Sequence, residues 1–443
     1  VRRLGLILGA VIFGLLALAT EEPTVYFLVY LAMLVVGGSY LMARRGLAGL
    51  EAGAWLDRQQ AAVGDVLSLT YSIRNRSRLP KPWLEVHSPS TLPVAIPGRA
   101  VAIAPMTART WVARVPLSER GQFRIDPMVV RTGDPLGLFE SAASVGSGSS
   151  LLVFPRVQPL PGWLLPPSPL EGSTSRAQRG PHATPLVTGV RPYTTGDAFN
   201  RIHWRSSARH QDLQVKEFDI EETADVRVIC DLERSRHTGS GPTATIETVV
   251  SAAAAIAAHA LDEGRNVSLE LVGFRRVVVP SDRGDRQRQK ILALLAVSQA
   301  DGGVSLAELL VDAGLHVRKG TVVVIVTPSL ERDWVPLAGH LRSRGTTVVA
   351  CIVDPAAHAL ASAERAGAAW SARASAVTLS GLATSEGTLS ALEAMPGDAT
   401  SRDVWAIERA LLEHEIETHV LTQGAELGAQ LVTARGTARA AVG

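Results

Sequence analysis

Thr321-Val-Val-Val-Ile-Val-Thr327 is the stretch that decides the fold. Its five central residues are all β-branched, with no polar alternation between them. Such a run suits a strand buried on both faces, the usual state of a strand inside a parallel sheet. Downstream, Leu330 to Arg344 has helical spacing and Thr346 to Val353 is again apolar and strand-like. Upstream, Val226 to Cys230 is a short strand that runs into Asp231. Ile246 to Leu261 is an Ala-rich helix, with Gly264 placed to serve as its C′ residue. Val267 to Phe274 and Val277 to Val279 read as a strand pair, and Arg286 to Val297 as a helix. Near the end come a helix from about Arg402 to His414, a strand Thr418 to Thr422 and a short helix around Val432. This alternation predicts an α/β domain over 223–435: a mostly parallel sheet with helices on both faces. Residues 355–400, rich in Ala, Ser, Thr and Gly, interrupt it as an insert without assignable elements.

Ligands of open α/β sheets sit beyond the carboxyl ends of the strands. Those ends here carry Asp231, Glu233 and Ser235, then Thr327 and Ser329, then Asp354. Carboxylate and hydroxyl oxygens of this kind are ligands for Mg²⁺. Cys230 and Cys351, the two cysteines of the chain, lie inside apolar strands and read as buried thiols in a reducing compartment. Two cysteines exclude a disulfide scaffold or a four-thiolate zinc site. The net charge of +2 over 443 residues gives no reason to expect nucleic acid as a partner.

Residues 52–155 have a different texture. Val66 to Ile73, Trp83 to Val86, Trp111 to Val115, Phe123 to Ile125 and Met128 to Val130 are short strands punctuated by Pro and Gly. They predict a small β-sandwich. Gly133-Asp-Pro-Leu-Gly-Leu-Phe139 is a turn with an apolar anchor, and the Gly/Ser-rich stretch Ser141–Ser150 follows it. The Pro/Gly/Ser-rich segment 156–186 reads as an extended linker to the α/β half.

The N-terminus is apolar. Leu4–Thr20 and Pro23–Ala43 carry no charge and would extend about 25 and 31 Å as helices, near the thickness of a bilayer's hydrocarbon core. Glu21-Glu22-Pro23 leaves room only for a tight turn, so 1–45 reads as a transmembrane hairpin with spans at 4–20 and 23–43. Arg2 and Arg3 before it, and Arg44 and Arg45 after it, put both ends on the cytoplasmic side. A cleaved signal peptide is the competing reading. The start of a second span within a few residues of the cleavage site argues against it.

The densest unusual segment lies in 187–222: Arg191-Pro-Tyr193-Thr-Thr-Gly196-Asp197-Ala-Phe-Asn-Arg201-Ile202-His203-Trp204-Arg205-Ser-Ser207-Ala208-Arg209. Guanidinium forks recognise carboxylates or phosphates, and the aromatic rings can stack or fill a groove. Two readings compete. The segment is a docking or anion-binding surface, or its arginines pair with Asp197, Glu217, Glu221 and Glu222 and clamp it to the α/β domain.

The pattern Arg-x-Tyr-x-x-Gly-Asp-x-x-x-Arg-x-Ile-x-Trp-x-x-Ser-Ala-Arg resembles the signature of the bacterial domain of unknown function 58 family. The order of the surrounding parts agrees along essentially the whole chain apart from 355–400. The resemblance implies an α/β domain similar to the von Willebrand factor A fold. Active members of that fold hold a divalent metal through Asp-x-Ser-x-Ser with a Thr and an Asp from other loops. Here the positions read Asp231-Leu-Glu233-Arg-Ser235, and the later pair reads Thr327-Pro328. The implied Mg²⁺ site, Asp231, Glu233, Ser235 and Thr327, is therefore degenerate. The resemblance also implies partners: a MoxR-type AAA+ ATPase and a membrane protein with a transglutaminase-like domain.

No phosphate-binding loop or Gly-x-Ser-x-Gly elbow is present, and His414 and His419 are five residues apart, one too many for a zinc-protease helix. The expected function is a non-enzymatic, membrane-anchored cytoplasmic scaffold or adaptor for complex maturation or envelope processes. One alternative is a Mg²⁺-dependent adhesion-type binder. Another is an enzyme on an anionic cell-wall or phosphorylated substrate, with His203 or His210 as acid/base.

Overall fold

The computed structural model describes residues 12, 15, 19, 23–166, 186–194, 197, 199, 202–210, 212–219, 225–274, 276–365 and 397–432. They fall into two compact units. The first runs through Arg156 and takes in Leu292–Ser298; the second begins at Val157 and resumes at Gln299.

The first unit opens with helix α1 (Pro23–Gly46). Proline at its first position costs no intrahelical hydrogen bond, and the double arginine Arg44-Arg45 complements the carbonyl end. Among the described residues it is the one helix long and apolar enough to cross a membrane. Its Phe27, Tyr30, Met33 and Leu34 are exposed, unlike the buried stripe of a soluble core helix. The first expected span, 4–20, lies outside the described residues apart from positions 12, 15 and 19.

Ten strands follow: β1 (Leu50–Leu56), β2 (Gln60–Ala62), β3 (Val66–Asn75), β4 (Lys81–His87), β5 (Arg99–Ile103), β6 (Ala108–Pro116), β7 (Gly121–Ile125), β8 (Met128–Gly133), β9 (Glu140–Val145) and β10 (Ser149–Phe154). They form three small sheets, ordered β1-β3-β6, β2-β10-β7 and β5-β4-β8-β9. The alternation in β3 buries Leu67, Leu69, Tyr71 and Ile73, and all three sheets contribute to one core with them. The Gly/Ser-rich stretch Ser141–Ser150 is strand here on both sides of residues 146–148. Small residues satisfy the ladder of β9 with β8, and Gly146 (φ +86°) turns the chain into β10.

The second unit contains the hairpin β11 (Leu186–Pro192) and β12 (Gln214–Asp219) with helix α2 (Trp204–His210) between them. Its main body is β13 (Val226–Asp231), α3 (Thr245–Asp262), β14 (Val267–Val272), β15 (Arg276–Asp282), the first part of α4 (Asp285–Val297, whose residues from Leu292 belong to the first unit), α5 (Leu306–His316), β16 (Val322–Thr327), α6 (Val335–Ser343), β17 (Thr347–Val353), α7 (355–365), α8 (Gly397–Glu413) and β18 (Glu417–Leu421). The sheet order is β15-β14-β13-β16-β17-β18, parallel except for β15. The Thr321–Thr327 strand therefore lies near the centre, and every residue of β16 is buried. Helices α5, α6 and α8 share an apolar cluster with Ile229, Ile325 and Ile352. Helix α3 packs against β13, β14, β16 and β17. It ends at Gly264 (φ +75°), with Gly264 N–H donating to Leu261 O and Arg265 N–H to Ala260 O, both at 3.0 Å. That is a Schellman cap of the kind the glycine foretold.

The linker reading of 156–186 needs correction at its start. Trp163 is 1% exposed and packs against the rings of His259 on α3 and His419 on β18. His259 Nε2 lies 3.0 Å from Trp163 O, and Gln158 Oε1 accepts from Leu427 N–H at 3.1 Å. Burial of this indole together with Leu160 and Leu165 offsets part of the chain entropy lost in ordering the segment, and residues 157–166 are a strap on the α/β unit. Residues 167–185 lie outside the described residues. Trp163→Ala should cost the α/β unit about 3–5 kcal/mol. Denaturant unfolding followed by circular dichroism checks this, and a free linker would show no change.

Candidate functional site

The signature segment divides into a clamp and a presented face. Arg191 donates to both oxygens of Asp197, at 2.8 and 2.7 Å, in a bidentate fork. Thr194 adds its N–H and its hydroxyl to Asp197 Oδ2, both at 3.0 Å. The Arg191 guanidinium, followed by the Thr194 N–H, holds the Asp197 carboxyl well below the usual carboxylate range. Ile202 is buried and bridges to Val215 of β12. His203 Nδ1 accepts the Ser206 N–H at 3.1 Å, so this imidazole caps α2. Ser207 Oγ accepts from Gln214 N–H at 2.8 Å and donates to His203 O at 3.1 Å. These residues serve the fold of the hairpin, and of the pairings that the clamp reading names, Arg191–Asp197 is the one among the described contacts. Gly196 and Arg201 lie outside the described residues.

What the clamp presents is different. Trp204, Arg205, Ala208 and Arg209 are exposed on α2, spaced so that they share one face, and Trp204 is 67% accessible. Phe199 is also exposed and stacks on Tyr193, ring centroids 6.1 Å apart. An indole held in water beside two guanidiniums on a pinned helix has the composition of a protein-binding hot spot.

The second candidate lies at the sheet's topological switch point, between β13 and β16. Asp231 ends β13, and its Oδ2 accepts the Thr327 hydroxyl from the end of β16 at 2.7 Å. Asp231 Oδ1 accepts Glu233 N–H at 2.9 Å. Thr327 Oγ1 in turn accepts Ser329 N–H at 2.9 Å. Burial pushes the Asp231 carboxyl up to about 6, against the pull of those hydrogen bonds. Ser235 donates to the Glu233 carboxylate. Two residues that the sequence reading overlooked complete the site: Arg236 pairs with Glu233, at 3.3 Å, and with Glu331. The four expected metal ligands are thus brought together, but with their oxygens engaged by one another or by a guanidinium. Asp354 does not join them; its carboxylate accepts Ala356 N–H and caps α7. Among the described residues no group of three or more His, Cys, Asp or Glu is arranged to hold a metal ion.

Gly302 explains the shape of this loop. It bridges Glu233, its N–H donates to Leu232 O at 3.0 Å and its carbonyl accepts Arg234 N–H at 2.9 Å. A Cβ there would meet Val272 O at 2.7 Å and Leu232 O at 2.8 Å, so only glycine permits the approach. Cys230 and Cys351 are fully buried, and burial pushes both thiols up, as inert core cysteines require.

Comparison with known proteins agrees with the signature. Residues 189–367 match the family model described as "Protein of unknown function DUF58". YeaD of Bacillus subtilis (strain 168), an uncharacterized protein, is 27% identical over 338 residues, covering 73% of this chain and 82% of its own. These findings make residues 189–367 a domain of that family. Among solved structures, the CARDB domain of a Pyrococcus furiosus protein aligns with 24% of this chain and 91% of its own length, at 12% identity and a TM-score of 0.19. A mussel byssus matrix protein aligns with 29% of this chain and 38% of its own, at 12% identity and a TM-score of 0.25. Scores this low carry no argument.

The Asp231 carboxyl has a pH signature. Its folded pKa, about 6, lies above the ordinary value of 3.8, so the folded state holds the proton longer than the unfolded chain. Stability from this group is complete below about pH 4 and is lost as pH rises through 6, on the order of 3 kcal/mol in all. The stability of Asp231→Asn relative to wild type should therefore rise between pH 4 and 6 and level off above. Chemical denaturation across that range measures the difference.

Proposed function

We propose that this protein is a membrane-anchored adaptor that docks a protein partner on the Trp204–Arg209 face of α2. The observation that carries the reading is the division of labour within one short motif. Arg191, Asp197, His203 and Ser207 spend their polar groups on holding the helix, while Trp204, Arg205 and Arg209 are left in solvent. Aromatic and guanidinium side chains presented by a rigid element suit an acidic partner surface with an apolar notch. The family resemblance suggests a MoxR-type AAA+ ATPase as that partner, and a transglutaminase-like membrane protein as a further member of the complex. The same resemblance, with the strand order β15-β14-β13-β16-β17-β18, favours the von Willebrand factor A fold for the α/β unit.

Anchoring rests on α1 and, in this reading, on a second span at 4–20. The flanking arginines Arg2, Arg3, Arg44 and Arg45 favour cytoplasmic placement of both ends and of the folded units. The role is non-enzymatic in this proposal: His203, the nearest acid/base candidate, is committed to capping α2. The Mg²⁺-dependent alternative is the weaker one, because Arg236 already supplies a cation between Glu233 and Glu331.

Trp204→Ala and Arg209→Glu should each weaken binding of a purified MoxR-type ATPase to the full chain in nanodiscs by about 30-fold, or ~2 kcal/mol, with unchanged thermal stability. Surface plasmon resonance reads the affinity, and wild-type binding by both variants would sink the proposal. In calorimetry, Mg²⁺ should give no heat of binding with wild type or with Asp231→Ala. A saturable heat that vanishes in the variant would restore the metal-dependent reading.

A further inference from the structure

The carboxyl end of α1 does not leave the β unit on a tether. Lys81, almost fully buried, donates from Nζ to Arg45 O at 2.8 Å and so caps the helix with an ammonium. Asp134 accepts the Ser39 hydroxyl together with the N–H groups of Phe139 (2.7 Å) and Leu136 (3.0 Å). Burial opposes ionisation there, but these donors outweigh it and hold the carboxyl below its usual range. The Tyr40 and Phe139 rings meet edge to face at 5.6 Å. Gly46 lies so close to Thr132 that a Cβ would fall 2.5 Å from its methyl group. The last eight residues of α1 are thus committed to the β unit.

Length then becomes a constraint. Glu21 and Glu22 mark the far limit of the apolar run. Pro23–Gly38, the part of α1 not held by the β unit, extends only about 24 Å, against a hydrocarbon core of about 30 Å. A membrane-spanning α1 must therefore draw its docked end, and the loops around it, into the interface. Those loops are built for that position. Leu79 is 55% exposed at the tip of a turn pinned by Asn75, whose Nδ2 donates to Leu79 O at 2.9 Å. Leu136 is 57% exposed at the tip of the Asp134 turn. Trp83 is exposed between them in sequence, and Arg44, Arg45 and Arg78 are exposed nearby. Leu79 and Gly133 line, with Leu41 and Met42 of α1, one groove of about 250 Å³. The buried polar groups of the junction, Lys81, Asp134 and Thr132, all have hydrogen-bond partners, as a low-dielectric setting demands.

We infer that this rim, with Leu79 and Leu136 at its tips, is a second membrane-contact surface that inserts into the headgroup–acyl boundary of a phospholipid leaflet beside the helix. This rests on α1 crossing the membrane, as proposed above. Apolar tips flanked by arginines fit a leaflet with anionic headgroups. The contact fixes the orientation of the β unit on the membrane, which a flexible tether would leave free.

Spin labels on single introduced cysteines test it in the full chain, because Cys230 and Cys351 are buried and resist labelling. The protein is placed in phosphatidylcholine–phosphatidylglycerol nanodiscs and labelled in turn at Leu79, Leu136, Leu34 and Val66. Leu34 is on α1, and Val66 is at the far end of β3, roughly 30 Å from Asn75. The positions are exposed, so the labels displace no core. Labels at Leu79 and Leu136 should lose access to an aqueous nickel chelate and gain access to dissolved oxygen relative to Val66. Aqueous labels at Leu79 and Leu136 with a bilayer-deep label at Leu34 would overturn the rim and leave the anchor standing. An aqueous label at Leu34 would overturn the anchor and the rim together. Protection of the tip labels from both reagents would mean that protein, not lipid, covers them, and would also overturn the inference.

Discussion

The hydrogen bond from Thr327 to Asp231 joins the ends of β13 and β16, the two strands on which the α/β unit is wound. The two strands are parallel, and the order of strand addition reverses at this pair, with β14 and β15 added on one side and β17 and β18 on the other. The loops leaving the two strands diverge to opposite sides, which is why a crevice forms there in open α/β sheets. In this protein the polar groups at that crevice are paired with one another. Glu233 and Glu331 converge on Arg236, and Gly302 zips the loop against its neighbour. An ionised Asp231 in that setting is costly, and its raised pKa expresses the cost.

The signature hairpin presents a second, exposed face. A helix of seven residues has no stability of its own in water. Here it persists because Ser207 and His203 tie it to β12 and because Arg191 and Asp197 fix the turn that leads into it. Rigidity of this origin would lower the entropy lost if the Trp204 face is covered by a partner, as proposed. The same logic operates at the amino-terminal unit, where Lys81 and Asp134 fasten α1 to the β unit.

Much of the fold was legible in the sequence. The β-branched run in β16, the alternation in β3 and the capping glycine Gly264 were each read correctly, because each reflects a local periodicity or backbone preference. The signature was equally legible as a pattern, and the Arg191–Asp197 pairing was among its two open readings. The Ser141–Ser150 strands escaped notice because small residues on a ladder look like loop, and the Trp163 strap because proline-rich composition masked one decisive indole.

The sequence by itself determined the central strands, several of the helices and which segments could enter a bilayer, since these follow from spacing and apolarity along the chain; helix Leu306–His316, the helix at 355–365 and the hairpin Leu186–Pro192 with Gln214–Asp219 were not legible in it. It also delivered Asp231, Glu233, Ser235 and Thr327 as neighbours at a strand-end crevice. Only the tertiary structure decided what they do there. Arg236 and Glu331 meet across a sheet, Lys81 reaches the last carbonyls of α1, and Trp163 finds His259 and His419. Each of these is a contact between residues far apart in the chain, and no local pattern encodes the partner that burial and charge select.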